Sequence, residues 1–459
     1  MNLRSRYSLI IGAILICLID AAVLLVVLPK FTGDVSPLYG LNSYPDGYDQ
    51  IATNLVEGHG YRFYPDTART LMREPGYPFF LAGLFLVFGF GFTAVKVANM
   101  ALGVGAAWLM TCIARKLSNS KLLVFGSPLL FLFHPGTLIA ESRGGIEVIF
   151  TFLITLFMLT LYKAIKGNRG LDYVVSGGVL GLAVLVKSTP LLFPLVVLAY
   201  LLIFERQRIP KLAMCWNVAL MVIAMFVVLS PWILRNYFLV GKFVPTASVL
   251  GVSAHAGQYI CSHLSSDKRW LDLDRAAARE RSKRARELGY PFQDGYYQYF
   301  YSSDDEVKFS SYLLRGVIAE YQNSPTLFIR CVRSNLFNFW FAGKTWKSTT
   351  VNLVVQLPLL LLALVGTGLS IRNKKLKPIA PMILLILYVT AVCLPILAQA
   401  RYSIPLIPFL SLLACFALVA VQRSAANLWS KLYMIGADDD RSGKRTIVAR
   451  ADSNEMEMQ

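Results

Sequence analysis

The chain has 459 residues, of which 56% are hydrophobic and only 16% charged, and its mean hydropathy is +0.54. Soluble domains lie nearer half apolar and a quarter charged, so this composition excludes an ordinary soluble enzyme and indicates a membrane protein. The formal net charge of +18 is accounted for by membrane topology and one basic outer helix, and calls for no nucleic-acid partner.

Uncharged apolar runs close to the roughly 20 residues that cross a bilayer recur along the chain. They predict spans over 7–28, 93–114, 122–140, 146–162, 171–187, 189–204, 212–233, 351–371, 379–397 and 403–422. The run 79–92 is shorter, ends in Gly89-Phe90-Gly91-Phe92, and reads as an interfacial or re-entrant helix. The fold class expected is an all-α polytopic membrane protein of about ten spans. Interfacial helices lie in its first outer loop, and a second outer insertion is partly helical. The first span follows a short lead and has no small-residue cleavage site, as expected of an uncleaved anchor.

Lys and Arg set the orientation. Arg4, Arg6, Arg115, Lys116, Lys121, Lys163, Lys166, Arg169, Arg206, Arg208, Lys211, Arg372, Lys374, Lys375 and Lys377 fall on one side, against Arg143, Lys187 and Arg401 in the short turns of the other. Both termini are therefore expected in the cytoplasm, in a multi-pass inner-membrane protein, with 30–92 and 234–350 facing outward. One membrane domain over 1–422 and a disordered cytoplasmic tail over 423–459 complete the expected organisation. Cys17, Cys112, Cys215, Cys393 and Cys415 fall in spans, where a thiol behaves as a small hydrophobe. Cys261 and Cys331 face outward and are expected as free thiols. The histidines show no metal-ligand spacing.

The segment 30–92 carries the densest chemistry: Tyr44-Pro45-Asp46-Gly47-Tyr48-Asp49, Gly58-His59-Gly60-Tyr61-Arg62 and Arg73-Glu74-Pro75-Gly76-Tyr77-Pro78. Acids, aromatics and arginines placed where a span emerges can hold an anionic headgroup and activate a hydroxyl. Asp46 suits that proton transfer, and equally suits the N-cap of a helix over 47–56. Asp49 is either a further polar contact or a first-turn acid favoured by the helix dipole. Glu147 begins a span near Glu141 and Arg143, where it either serves function or pairs with Arg143 at i,i+4. Arg73, Lys187, Arg235 and Arg401 map to the outer ends of spans, as single anchors or as one shared anion site. Tyr48, Tyr77 and Tyr402 belong to the interfacial aromatic belt or stack on sugar faces. In the insertion, 268–288 reads as a solvated helix with Arg275, Arg279 and Arg281 on its surface. The stretch 302–323 reads as a second helix, with Ser303 as N-cap and Glu306 three residues on.

These segments, taken in order, resemble a known family. Asp46-Gly-Tyr-Asp49-Gln-Ile-Ala with Glu57-Gly-His-Gly60-Tyr, Arg73-Glu-Pro-Gly-Tyr-Pro-Phe-Phe-Leu-Ala82, Glu147-Val-Ile-Phe-Thr-Phe-Leu153, Gly181-Leu-Ala-Val-Leu-Val-Lys187, Ser230-Pro-Trp-Ile-Leu-Arg235 and Ala400-Arg-Tyr-Ser-Ile-Pro405 are similar to integral-membrane GT-C glycosyltransferases. The nearest branch is the bacterial one related to protein O-mannosyltransferases and the lipid A aminoarabinose transferase. The resemblance implies an inverting transfer of a monosaccharide from a polyprenyl-phosphate donor to a hydroxyl of a lipid, glycan or protein acceptor on the outer face. It places the catalytic acids at Asp46 and Glu147 and the donor phosphate at Arg73, Lys187, Arg235 and Arg401. It leaves Asp49, Tyr48, Tyr77 and Tyr402 as sugar or acceptor contacts. Gly47 stands where such families often carry a second acid, so no metal or other cofactor is expected, although a divalent ion is left open. The alternatives are a secondary transporter of an anionic solute, which requires mid-membrane helix breaks and repeat symmetry, and an outer-face oligosaccharide ligase with a lipid-diphosphate donor.

Overall fold

Long runs of Leu, Ile, Val and Phe with few charges make helices wherever they occur. The computed structural model describes residues 46–264, 270–295, 297–343 and 345–425. The predicted first span, Cys17 and nearly all of the tail lie outside them. Six described helices are long and apolar enough to cross a bilayer: Phe92–Leu117, Ile146–Gly167, Lys211–Val240, Trp346–Arg372, Leu376–Cys393 and Ala400–Ala425.

In chain order, α1 is Tyr48–Val56, α2 Gly76–Phe88 and α3 Phe92–Leu117. A π-turn at Leu122–Gly126 leads into α4 (Ser127–Leu132), followed by α5 (Pro135–Ser142), α6 (Ile146–Gly167) and α7 (Gly170–Val186). A 3-10 turn at Thr189–Leu192 opens α8 (Phe193–Phe204), and α9 is Lys211–Val240. The expected unbroken span over 122–140 is bent by 51° between Leu132 and Pro135. The cause is local: Pro135 disfavours helical backbone at the residue before it. His134 is accordingly extended, and its Nδ1 accepts from Gly136 N at 3.1 Å. α2 has only 13 residues, short for a span, as expected of an interfacial helix.

α7 and α9 pack closely because α7 carries glycine on that side. A Cβ at Gly177 would fall 2.1 Å from the Met221 carbonyl oxygen, and one at Gly181 would fall 2.9 Å from that of Met225. Small residues let helix backbones approach, the usual device inside a membrane. α9 also runs further than expected, carrying Pro231 within it until Gly241, in the left-handed region, ends it.

The insertion that follows α9 contains α10 (Leu250–His263), α11 (Trp270–Glu287), a two-residue hairpin pairing β1 (Phe292–Gln293) with β2 (Tyr299–Phe300), α12 (Ser303–Asn323) and α13 (Pro325–Trp340). α14 (Trp346–Arg372), α15 (Leu376–Cys393) and a 3-10 entry at Ala400–Leu406 into α16 (407–425) close the bundle. Two expectations are corrected. The helix α11 is not solvated all round: Leu273, Asp274, Ala277, Ala278, Arg281, Ser282 and Ala285 form a buried stripe at three- and four-residue spacing. The cap of α12 is Ser302, whose side chain accepts from Asp305 N, rather than Ser303. This frees Glu306 to turn inward, where its carboxylate accepts from Thr70 Oγ1 at 2.6 Å, Leu71 N at 2.8 Å and Ser248 Oγ at 2.8 Å. One buried acid thus fastens the first loop to the insertion. Cys261 and Cys331 are free and buried, on α10 and α13.

Candidate active site

The first loop, the turn after α7, the start of α6, the 3-10 entry to α16 and the insertion converge on one cavity of about 520 Å³. Asp46 sits at its polar end, just before α1. The N-cap of α1 is Gly47, with φ 70° and no side-chain capping bond, so the carboxylate of Asp46 is not spent on the helix. A Cβ at residue 47 would lie 2.5 Å from the Phe63 ring. That contact and the positive φ explain why glycine, rather than a second acid, stands there.

Asp46 is only 7% exposed and is held from three sides. Arg401 Nη1 donates to its Oδ2 at 2.6 Å and Nη2 to its Oδ1 at 3.4 Å. Tyr297 Oη donates to Oδ1 at 3.3 Å. Arg73 Nη2 lies 3.6 Å from Oδ1, while Arg73 Nε donates to the Asp46 carbonyl at 2.9 Å. Burial alone would push this carboxyl up, but the Arg401 and Arg73 charges outweigh it and hold the group well below the usual carboxylate range. Burial raises Tyr297 to about 12, so its phenol stays a donor.

The cations are clamped by aromatic faces. The Arg73 guanidinium lies 4.5 Å from the Tyr297 ring centroid and 5.3 Å from that of Tyr48. Lys187, the C-cap of α7, places Nζ 3.9 Å over Tyr402. Glu147, in the first turn of α6, approaches Arg401 Nε at 3.8 Å, and Gln399 Oε1 accepts from the same nitrogen at 2.9 Å. Glu74 Oε1 accepts from Ser188 N and Oγ at 3.2 and 2.8 Å, tying the first loop to the turn that carries Lys187.

Of the residues singled out from sequence, Asp46, Glu147, Arg73, Lys187, Arg401, Tyr48 and Tyr402 line this cavity together. Three do not. Arg235 donates to the Thr70 carbonyl and to Asn236 Oδ1, both at 2.9 Å, and stacks over Trp232 at 4.4 Å. Both bonds come from Nη1, which ties Arg235 to the first loop and to α9 rather than to the cavity. Tyr77 is turned away and donates to the Gly144 carbonyl. Asp49 lies in the first turn of α1, outside the lining, where burial pushes it up to about 7. Sequence reasoning missed Glu74, Tyr297, Asp274 and Arg281, all in the lining. Asp274 and Arg281 were legible as charges spaced seven apart among alanines, a spacing that puts both on one helix face.

The lining holds four acids (Asp46, Glu74, Glu147, Asp274) and four cations (Arg73, Lys187, Arg281, Arg401), so its formal charges balance. Leu191, Leu192, Val392, Ile396 and Leu397 add an apolar part to the same lining. Among the described residues, no group of three or more His, Cys, Asp or Glu side chains converges as a metal site.

The class this defines is an all-α polytopic membrane protein with an acid held among cations at the ends of its spans. Residues 72–233 match the family described as dolichyl-phosphate-mannose-protein mannosyltransferase. Among solved structures, the chain is similar to ArnT from Cupriavidus metallidurans bound to undecaprenyl phosphate, with 13% identity, 90% of this chain and 78% of that one covered, and a TM-score of 0.40. The apo state of the same protein aligns at 12% identity over the same shares, with a TM-score of 0.38. No curated protein matches.

Proposed function

We propose that the chain is an inverting glycosyltransferase that moves a monosaccharide from a polyprenyl-phosphate donor to a hydroxyl of a lipid, polysaccharide or protein acceptor at the outer face of the cytoplasmic membrane. One observation carries this reading. A carboxylate and the cations Arg73, Lys187 and Arg401 share one cavity with the aliphatic side chains Leu191, Leu192, Val392, Ile396 and Leu397, a combination that suits a ligand with a lipid tail, an anion and a polar head. The Lys and Arg asymmetry supports an outer location, since the cavity residues occupy the span ends opposite the positive segments.

The acceptor oxygen attacks the anomeric carbon as the bond from that carbon to the phosphate oxygen breaks, and the acceptor proton passes to Asp46. The phosphate leaves with one more negative charge than it brought, and Arg73, Lys187 and Arg401 are placed to stabilise it. Asp46 as it stands is a weak base, because two guanidinium groups neutralise it. An incoming phosphate competes for Arg401 and Arg73 and so returns basicity to Asp46 at the moment the donor is seated. Tyr297, protonated, keeps the carboxylate aimed. Gln399 and Glu147 hold the far side of the Arg401 fork.

The test is to supply the purified full-length protein with polyprenyl-phosphate sugars and envelope lipid, glycan and protein acceptors. A new glycosidic product, with release of polyprenyl phosphate, is expected. Movement of an anionic solute across vesicles without transfer would favour the transporter instead. The bend at His134-Pro135 gives that alternative no support, since neither residue lines the cavity. Transfer of a whole oligosaccharide from a lipid diphosphate would identify the ligase.

A further inference from the structure

The cavity has a roof as well as a floor, and the roof carries charges that the transfer step does not use. Asp274 and Arg281 lie two turns apart on one face of α11 and are 4% and 1% exposed. Both reach the lining shared with Asp46. Around them the buried stripe is small and mostly apolar, with Ala277, Ala278 and Ala285 seating α11 on the rest of the insertion. Both charged residues also interact within the protein, and their place in the cavity lining leaves them within reach of a bound ligand.

We propose that Asp274 and Arg281 form a sugar-hydroxyl subsite in the cavity they share with Asp46, and that they select which glycosyl group the cavity accepts. This rests on the glycosyltransferase reading above. The chemistry fits a polyol ring. A carboxylate accepts hydrogen bonds from two neighbouring hydroxyls, and a guanidinium presents a planar fork of donors to hydroxyl or ring oxygens. The cations at the span ends, Lys187 and Arg401, take the phosphate, and the sugar bridges from there toward the insertion. Its anomeric carbon stays at the floor beside Asp46, and its ring hydroxyls meet α11. Ser253, on α10, adds a further hydroxyl to the same lining. The floor therefore reads the carrier, and the roof reads the sugar.

The experiment compares two probes on the full-length protein in nanodiscs: bare polyprenyl phosphate, and the tightest-binding member of a panel of polyprenyl-phosphate hexoses and pentoses. Asp274→Asn is expected to bind the bare lipid phosphate as the parent does and to lose about tenfold in affinity for the sugar-bearing lipid. Arg281→Lys keeps the charge but removes the planar fork. It is expected to show the same selective loss, and it carries the test should Asp274→Asn fail to fold by elution and thermal unfolding. Equal loss for both probes, or loss for neither, overturns the proposal while leaving the transferase reading intact. A parent protein that binds neither probe overturns both, and does so before any variant is made.

Discussion

The floor and the roof of the cavity are built by different means. The floor is assembled from span ends: Lys187 caps α7, Glu147 opens α6, and Arg401 enters α16. These positions are fixed by the packing of the bundle, including the glycine-mediated contact of α7 with α9. The roof hangs from the insertion and is fastened to the first loop by a buried cluster that includes Phe63, Tyr297 and Tyr299 and by the hydrogen bonds of Glu306. A floor set by helix packing suits the phosphate of the proposed donor. A roof carried by the insertion suits the part of the proposed substrate that varies.

The sharpest break in that comparison comes at the floor. Arg401→Ala removes the closest partner of Asp46 and one of the phosphate cations together. It is expected to lower kcat/KM by about 10²–10³-fold. Because the Arg401 charge holds the Asp46 carboxyl down, its loss also moves the acid limb of the pH–rate profile to higher pH. An unshifted limb would show that Arg401 does not tune this acid.

The roof is tested next through its fastening. Glu306→Ala leaves Thr70, Leu71 and Ser248 without their shared acceptor and is expected to lower stability by about 3 kcal/mol, read by thermal unfolding. Asp49 gives a smaller, pH-dependent effect. Its folded-state value, about 7, lies above the ordinary 3.8, so the native state holds a proton that the unfolded chain releases. Stability therefore falls as pH rises from 3.8 to about 7. Asp49→Asn should match the parent below that window and exceed it by about 2 kcal/mol above it. A constant difference across pH would show that Asp49 titrates normally. The smallest effect is expected of Arg235→Ala. With its Nη1 bonded to Thr70 and Asn236 and its side chain outside the cavity lining, it should lose about 1 kcal/mol of stability and leave the donor KM unchanged.

The floor was largely legible in the sequence, because membrane physics constrains it. An ionisable group at a span end is uncommon enough to be noticed, which singles out Arg73, Glu147, Lys187 and Arg401, while Asp46 stands out through the motifs of the first loop. Arg235 has the same signature and a different role, because the extension of α9 past Pro231 does not follow from hydropathy. The insertion was harder to read. Asp274 and Arg281 sit among other Arg and Glu residues of α11, and composition alone makes that helix look solvated. Which stripe is buried depends on what packs over it, and that is a tertiary fact. Tyr297 belongs to a tyrosine-rich loop in which no single ring stands out until Asp46 is placed beside it.

The most direct measurement of the central claim pairs binding with turnover in Asp46→Asn. The account predicts that this variant, correctly inserted, binds the polyprenyl-phosphate sugar at least as tightly as the parent, since Arg401 and Arg73 are released to the phosphate. It also predicts that transfer falls by about 10³-fold. Full transfer by Asp46→Asn would contradict the account.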